Sequence, residues 1–505
     1  MQLSKNAIRQ IAAKPGLDIP DEKIFELPEK VLQFGTGVLL RALPDYFIDK
    51  ANKQGIFNGR IVVVKSTDSD SSAFDKQDGL YTVCVRGVEN GTTVEENIIN
   101  ASISRVLGAR TDWKRILECA HNPEMKIIIS NTTEVGIQLV QDDISAEPPA
   151  SFPGKLLAFL LERFKAFNGS KESGMVIVPT ELITDNGSKL ESIVLELAHI
   201  NSLDFKFIEW LENHNTFCNS LVDRIVPGKP NAEETKKIET ALGYKDELMT
   251  MSEVFRLWAI EGDEKVKEVL SFGRVDNAVV IAPDITLFKE LKLRLLNGTH
   301  TFNCGTAFLC GFNITREAVL HPVYSVFTKE LMHNEIAPSI PFTIDEKVKA
   351  DFANSTFERF CNPFIDHQWQ SITVQYTSKM KMRNMPLLQR HYELHSNVPM
   401  HMATGFAAYL LYMKVTRKTG NKYYGERNGI EYEIKDDAAE YFYKVWNNGN
   451  ATEAVAEILA NEELWEIDLT KLPGFLHTVQ EQLHDMITNG VLATVEQLEN
   501  KKVTV

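Results

Sequence analysis

Over the first half of the chain, short β-branched apolar runs alternate with segments of helical period. The run KVLQFG (30–35) ends in glycine and predicts a buried strand, followed by a helix over 38–53. RIVVVKS (60–66) predicts a parallel-sheet strand, and YTVCVRG (81–87) another. TDWKRILECA (111–120) opens on a Thr or Asp cap and continues as a helix. MKIIISN (125–131) is a third β-branched run. FPGKLLAFLLERFKAF (152–167) has helical period after a proline start, and GMVIVPTEL (174–182) reads as a further strand. Strands alternating with helices predict a doubly wound parallel sheet.

The texture changes near 270–290. NAVVIAP (277–283) is the last clear strand, and the pattern beyond it is mostly helical. This predicts an α/β domain over 1–275 and a mainly α-helical domain over 276–505. The first 30 residues are polar with scattered apolar positions and predict a short helix and a loop. There is no internal repeat and no low-complexity segment.

Composition narrows the function classes. The 505 residues are 44% hydrophobic and 24% charged, ordinary globular values, and the net charge is −15. That charge argues against nucleic acid or an anionic membrane as partner, and leaves room for a small anion held by a local cationic cluster. The six cysteines are scattered without a C-x-x-C pair, so a reducing, cytoplasmic setting is expected and no metal site is legible. No apolar stretch approaches the roughly 18 residues of a spanning helix.

Four constellations could carry chemistry. Gly35-Thr36-Gly37, between a strand and a helix, is the arrangement that turns backbone N–H groups toward a pyrophosphate, although Leu40 stands where a third glycine is usual. It is also the form of a plain strand-to-helix turn. The second strand ends in Lys65 and Ser66, with Asp68 and Asp70 later, so the usual ribose carboxylate is not clearly placed, and Lys65 is compatible with a 2′-phosphate. On an α-helix, Asn297 and His300 lie about 140° and about 80° around the axis from Lys292. Lys292 could then exchange a proton, Asn297 could bond a developing alkoxide, and His300 a neighbouring hydroxyl. His391 and His395 have i, i+4 spacing but no third ligand, and read as structural. Lys379, Lys381 and Arg383 form a basic segment that is either a solvated turn or a carboxylate clamp.

Taken in order, these segments resemble the long-chain, metal-independent mannitol dehydrogenases. QFGTGVLLRA (33–42), QDGLYTV (77–83), SNTTEVGI (130–137), NTFCNSLVDRIVP (215–227) and KLRLLNGTH (292–300) each match a motif of that family in its order. The resemblance implies a Rossmann-type N-terminal domain that binds NAD, a helical C-terminal domain, and hydride transfer without a metal. LQFGTGVLLRA, SNTTEVGI, FPGKLLAFLLERF and PTELITDNG look most like the branch that interconverts D-altronate and D-tagaturonate in hexuronate catabolism. The branch acting on mannonate and fructuronate and the mannitol and arabinitol enzymes are the nearest rivals. An inactive dinucleotide-binding sensor is the rival of a different class.

Carried over residue by residue, the resemblance gives cofactor contacts to Phe34, Gly35, Thr36, Gly37, Val38, Leu39 and Arg41 in the first motif. Lys65, Asp78, Thr133 and Glu134 follow from the next segments. Lys292 is implied as general acid and base, with Asn297 at the oxyanion and His300 orienting the substrate. Glu181, Asn186 and Asp223 are implied at the substrate, with Lys379 and Arg383 at its carboxylate. Two departures stand out. Polyol members carry D-N-L-x-x-N-G where this chain has Thr180-Glu181-Leu182 and then Asn186-Gly187. They also place a Glu three residues before the lysine, where this chain has Lys289, with Glu290 one later. The implied partner is a small sugar acid, and the implied assembly a monomer or small homo-oligomer.

Overall fold

The computed structural model describes residues 1–67, 70–133 and 135–502, the last two by backbone only. It divides into two units. The first is Met1–Gly87 with Thr93–Ile285, the second Val88–Thr92 with Thr286–Val505. Residue 275 itself closes a short 3-10 segment, Ser271–Val275, before the last strand of the first unit.

The first unit is built on six parallel strands: β1 (Glu29–Phe34), β2 (Arg60–Lys65), β3 (Ile103–Gly108), β4 (Ile127–Ser130), β5 (Val176–Pro179) and β6 (Thr216–Phe217). Their order across the sheet is β3-β2-β1-β4-β5-β6, the Rossmann order, in which the sense of progression across the sheet reverses between β1 and β4. Phe34 is in register with Val64 on one side and Ser130 on the other, so the strands end level at this switch point. Both faces are covered. Leu32, Phe34, Val62, Val64, Ile128 and Ile177 fill one core; Val31, Ile61, Val63, Ile127, Ile129 and Val178 fill the other. That double burial is why the strands are continuous β-branched runs.

Several expected elements take a different form. The helix expected over 38–53 is two, Val38–Ala42 and Pro44–Lys53. Pro44 disfavours helical geometry at Leu43, whose φ, ψ are −133°, −77°. The strand at 81–87 is real but runs Tyr81–Glu89 in a separate four-stranded sheet, beside Thr92–Asn100. Strand Val279–Ala282 belongs to a three-stranded sheet with Ser220–Asp223 and Leu257–Glu261, not to the main one.

The second unit is mainly helical around one core, with a small antiparallel sheet, Arg417–Thr419, Lys422–Arg427 and Ile430–Ile434. Its central rod starts as Thr286–Leu291, passes through a π-helical segment, Lys292–Gly298, and continues as Thr299–Leu309. No helix among the described residues is long and apolar enough to cross a membrane.

Candidate active site

In the first unit, the glycine loop follows β1 at the switch point. Gly35 has φ +126°, and a Cβ there would lie 2.8 Å from Leu40 Cδ1 and 2.9 Å from the Asn131 carbonyl oxygen. Only glycine tolerates both. Gly37 is exposed, at φ, ψ of −60°, 155°, and a Cβ there would meet no protein atom within 4 Å. It leads into Val38–Ala42 with no side-chain cap, and Thr36, Val38 and Leu39 around it are half-buried. Phe34, by contrast, turns its ring into the core against Phe152, 5.1 Å between centroids.

Across the switch point, the ends of β4 and β5 are laced together. Glu181 is buried and accepts hydrogen bonds from Thr132 N (2.9 Å), Thr132 Oγ1 (3.1 Å) and Ser130 Oγ (3.1 Å). Burial pushes its carboxyl up, against the pull of these bonds. Asn131 Nδ2 donates to Thr180 O and Oγ1, both at 3.0 Å. Asn186 is equally committed. Its Nδ2 donates to the carbonyls of Pro179, Glu181 and Ser220, and its Oδ1 accepts from Gly187 N and Ser220 N. Glu181 and Asn186, expected at the substrate, are thus both engaged in joining these strand ends, and no donor of the Asn186 amide is left over.

The remaining expected residues of this unit scatter. Arg41 turns inward: its guanidinium donates to the Leu248 carbonyl and lies 5.2 Å from the Tyr81 ring centroid. Arg41, expected at the cofactor, ties the loop helix to the interior through these contacts. Lys65 ends β2, buried, its carbonyl accepting from Ala109 N. Asp78 accepts from Lys5 N at 2.9 Å, in the turn after helix Ser72–Lys76. The QDG signature is thus an anchor of the N-terminal segment. Thr133 is exposed, and its carbonyl accepts from Gly136 N. Glu134 and Asp68 lie outside the described residues. Asp223 ends strand Ser220–Asp223, opposite Leu257. Next to it Arg224 donates to the carbonyls of Glu253 and Ala42, and its guanidinium lies 4.7 Å from the Tyr46 ring.

In the second unit, Lys292 and Asn297 open and nearly close the π segment. Its i→i+5 bonding sets residues five apart one above the other, so these two share a face more closely than the 140° of an α-helix allows. Gly298 gives close approach: a Cβ there would lie 3.1 Å from Asn384 Oδ1 and 3.3 Å from Leu387 Cδ1. Asn384 closes a second π segment, Met380–Asn384, which carries Arg383. Arg294 bolts the two together, donating to the carbonyls of Met382 (2.9 Å) and Arg383 (2.7 Å) while its Nε holds Glu290 at 2.9 Å. Glu290, two residues before Lys292, is thereby engaged by Arg294.

His300 is 7% exposed and its Nε2 has no hydrogen-bond partner. Its ring stacks on Phe360, 4.3 Å away, with His367 at 5.3 Å and Trp369 at 6.1 Å edge-on. Burial holds its pKa well below the usual value, helped by His367, Arg359, Arg383 and Lys379. Arg383 donates to Thr301 Oγ1 at 3.2 Å, and its Nε is buried without a partner. Lys379 donates to the Ile372 carbonyl at 2.9 Å. Burial, then Arg383, lowers its pKa. The structure thus brings His300, Lys379 and Arg383 into one cationic corner. The sequence reading missed Arg294, Arg359, Phe360 and His367. Arg294 sits inside the KLRLLNGTH signature, whereas nothing in FERF or DHQW marks the others. His391 Nε2 meets the Asn397 carbonyl at 3.0 Å.

The mannitol dehydrogenase Rossmann domain profile matches residues 29–272, and that of the mannitol dehydrogenase C-terminal domain matches 284–487. The chain belongs to the mannitol dehydrogenase family. Among curated members, it is 36% identical to the altronate oxidoreductase of Bacillus subtilis over 478 residues, 94% of this chain and 95% of that one. It is 37% identical to that of Pectobacterium carotovorum, over 93% and 96%. Among solved members, the mannitol 2-dehydrogenase of Pseudomonas fluorescens, in ternary complex with NAD and D-mannitol, aligns over 99% of this chain and all of that one. Its TM-score is 0.69 at 22% identity. A substrate-free D-sorbitol dehydrogenase gives 0.76 at 21%, covering 98% of this chain and all of its own. This chain shares its fold with both along nearly its whole length.

Proposed function

We propose that this protein is an NAD-dependent oxidoreductase that interconverts D-altronate and D-tagaturonate, a step of hexuronate breakdown. The near-full-length similarity to altronate oxidoreductases carries the reading. The cationic corner around His300 supplies its physical complement, because a uronate brings a carboxylate that mannitol lacks.

A dinucleotide suits the switch point. Gly35 lets β1 turn where a Cβ would strike Leu40 and Asn131, and Gly37 leaves its outer side open for a pyrophosphate against the backbone. Gly35, Thr36 and Gly37 would hold the pyrophosphate, with Val38 and Leu39 beside it and Lys65 toward the ribose. NAD held there would supply hydride transfer at the sugar carbon that bears the reacting oxygen.

The chain's own residues do the rest. Lys292 gives its proton to the carbonyl oxygen in ketone reduction and removes the hydroxyl proton in alcohol oxidation. Asn297, on the same face of the π segment, donates a hydrogen bond to that oxygen as charge develops on it. His300, held neutral by burial, bonds a neighbouring hydroxyl through its unpartnered Nε2. Arg383 and Lys379 hold the carboxylate. No step here requires a metal. Assaying D-altronate, D-mannonate and D-mannitol with NAD⁺ tests the reading: preference for altronate supports it, and preference for either other substrate replaces it with the corresponding family activity.

A further inference from the structure

Resting on the dinucleotide reading above, we propose that Asp45 is a positioning residue for cofactor binding: through Gln33 and Tyr81 its carboxyl, carrying a proton, fixes both ends of the glycine loop.

The three residues are fully buried in the first unit and come from different elements, Gln33 from β1, Asp45 from helix Pro44–Lys53 and Tyr81 from strand Tyr81–Glu89. They meet at one atom. Gln33 Nε2 lies 3.4 Å from Asp45 Oδ2 and 3.4 Å from the Gly35 carbonyl, where the loop begins. Tyr81 Oη lies 3.2 Å from the same Oδ2 and 3.0 Å from the Arg41 carbonyl, where the loop helix ends. That carbonyl belongs to the last turn of Val38–Ala42, which the break at Leu43 leaves without a continuing helix to bond it. Between the two clamped carbonyls lies Gly37, whose outer side is open.

Counting hydrogens places a proton on the acid. The Gln33 amide brings two and the Tyr81 hydroxyl one. They face two carbonyls that only accept, both oxygens of Asp45 and Gln33 Oε1, and Asp45 Oδ1 and Gln33 Oε1 go unpartnered. Tyr81 cannot give its single hydrogen to Arg41 and Asp45 at once. With a proton on Oδ2, Asp45 donates to Tyr81 Oη and Tyr81 donates to the Arg41 carbonyl, an unbroken chain. Ionised, the carboxylate competes with that carbonyl for the hydrogen, and the end of the loop loosens.

The surrounding charges leave this acid without an ion pair. Asp49, one turn further along the helix, has Lys53 at 2.8 Å and accepts from Ala101 N at 2.8 Å. The donors to Asp45 are the neutral Gln33 and Tyr81. Arg41, on the loop helix, donates instead to the Leu248 carbonyl and lies over the Tyr81 ring. Burial therefore pushes the Asp45 carboxyl up to about 7, with Asp49 adding to the rise and Gln33, Tyr81 and Arg41 opposing it. Proton and dinucleotide then favour one another by linkage.

The test is a fluorescence titration of the full-length protein with NADH at pH 6 and pH 8.5. The wild type should bind roughly fivefold or more tightly at pH 6, the lower range of coupling between two sites. Asp45→Asn keeps the shape and a permanent donor, and should bind at both pH values about as the wild type does at pH 6. Tyr81→Phe cuts the arm to Arg41 and should weaken binding at pH 6. Thermal melts at each pH report folding, and should Asp45→Asn not fold, the wild-type profile and Tyr81→Phe decide. Equal wild-type affinity at the two pH values overturns the proposal. So does an undiminished pH dependence in folded Asp45→Asn, the mark of a merely structural residue, or a Tyr81→Phe variant that binds as the wild type does. The dinucleotide reading fails on a separate result: a wild type that binds neither NADH nor NADPH at either pH removes that reading and this proposal together.

Discussion

The imidazole of His300 lies almost flat on the ring of Phe360, with centroids 4.3 Å apart and planes 18° from parallel. Stacking fixes the plane of the ring, burial removes water from it, and neighbouring cations disfavour a second proton. The outcome is a rigid neutral imidazole with one nitrogen unsatisfied. Such a group orients a hydroxyl well and accepts a proton poorly. In the proposed mechanism proton exchange therefore falls to Lys292 on the π segment, about two turns away.

The pH profile should reflect this. His300 has its pKa held well below the usual value of 6.5, so it is already neutral through the neutral range. No limb of kcat/KM near pH 6.5 should belong to it. His300→Asn should lower kcat/KM, yet leave the acid limb where it stands in the wild type. A limb that vanishes in the variant would show that His300 titrates during turnover.

Lys292→Ala should reduce kcat by at least about 100-fold, the lower range for losing a general acid–base. The NADH dissociation constant should change little if the lysine serves the substrate oxygen as proposed. Stopped-flow turnover and fluorescence titration of the same preparation separate the two. Near-normal turnover by a folded variant would remove Lys292 from the chemistry.

The two glycines of the loop should behave oppositely. Gly37→Val meets no protein atom and has an ordinary backbone conformation, so its melting temperature should hold while NADH binding weakens. Gly35→Ala forces a Cβ against Leu40 and Asn131 at φ +126°, and should destabilise the fold itself. Equal NADH affinity in wild type and Gly37→Val would mean that the pyrophosphate does not approach this glycine.

These contrasts show what a sequence alone can reveal. The strands of the main sheet were readable at β1, β2, β4 and β5 because burial on both faces imposes unbroken β-branched runs. β3, ISRVLG, escaped because polar Ser104 and Arg105 interrupt it at the sheet's edge, where they meet Glu29. The hairpin turn at Asn90-Gly91, with φ of 52° and 72°, carried a plain Asn-Gly signal that separates strand Tyr81–Glu89 from a parallel sheet. The π segment was not legible, since helical period does not distinguish an i→i+4 from an i→i+5 turn. Site motifs also conceal their use. Asn186 and Glu181 lie in a family signature, and only the fold shows how far they are engaged: the Asn186 amide donates to three carbonyls, and Glu181 ties Ser130 to Thr132. His367 comes from an unremarkable stretch and reaches His300 only through tertiary packing.

Beneath the glycine loop lies a buried acid whose titration the fold should report. Asp45 accepts from Tyr81 Oη at 3.2 Å and Gln33 Nε2 at 3.4 Å, and the same Gln33 nitrogen reaches the Gly35 carbonyl at 3.4 Å. Burial pushes the Asp45 carboxyl up to about 7 from 3.8, against these bonds and Arg41. Its Oδ1 and the Gln33 Oε1 are both buried without partners, so a proton on the carboxyl supplies a donor that the cluster lacks. The sign follows from linkage. The folded state binds this proton more tightly than the unfolded chain does, so the group's contribution is full below about pH 4 and is lost as pH rises through about 7. Asp45→Asn supplies a permanent neutral donor of the same shape. It should therefore stabilise the protein relative to wild type at pH 8, by a few kcal/mol at most, on the order set by a shift of this size. Toward pH 5.5 the advantage should shrink, because the wild-type carboxyl is then protonated. Urea unfolding at the two pH values measures it. A stability difference independent of pH would mean that Asp45 does not titrate in the folded state, and a variant less stable at pH 8 would mean that its charge is held by Arg41.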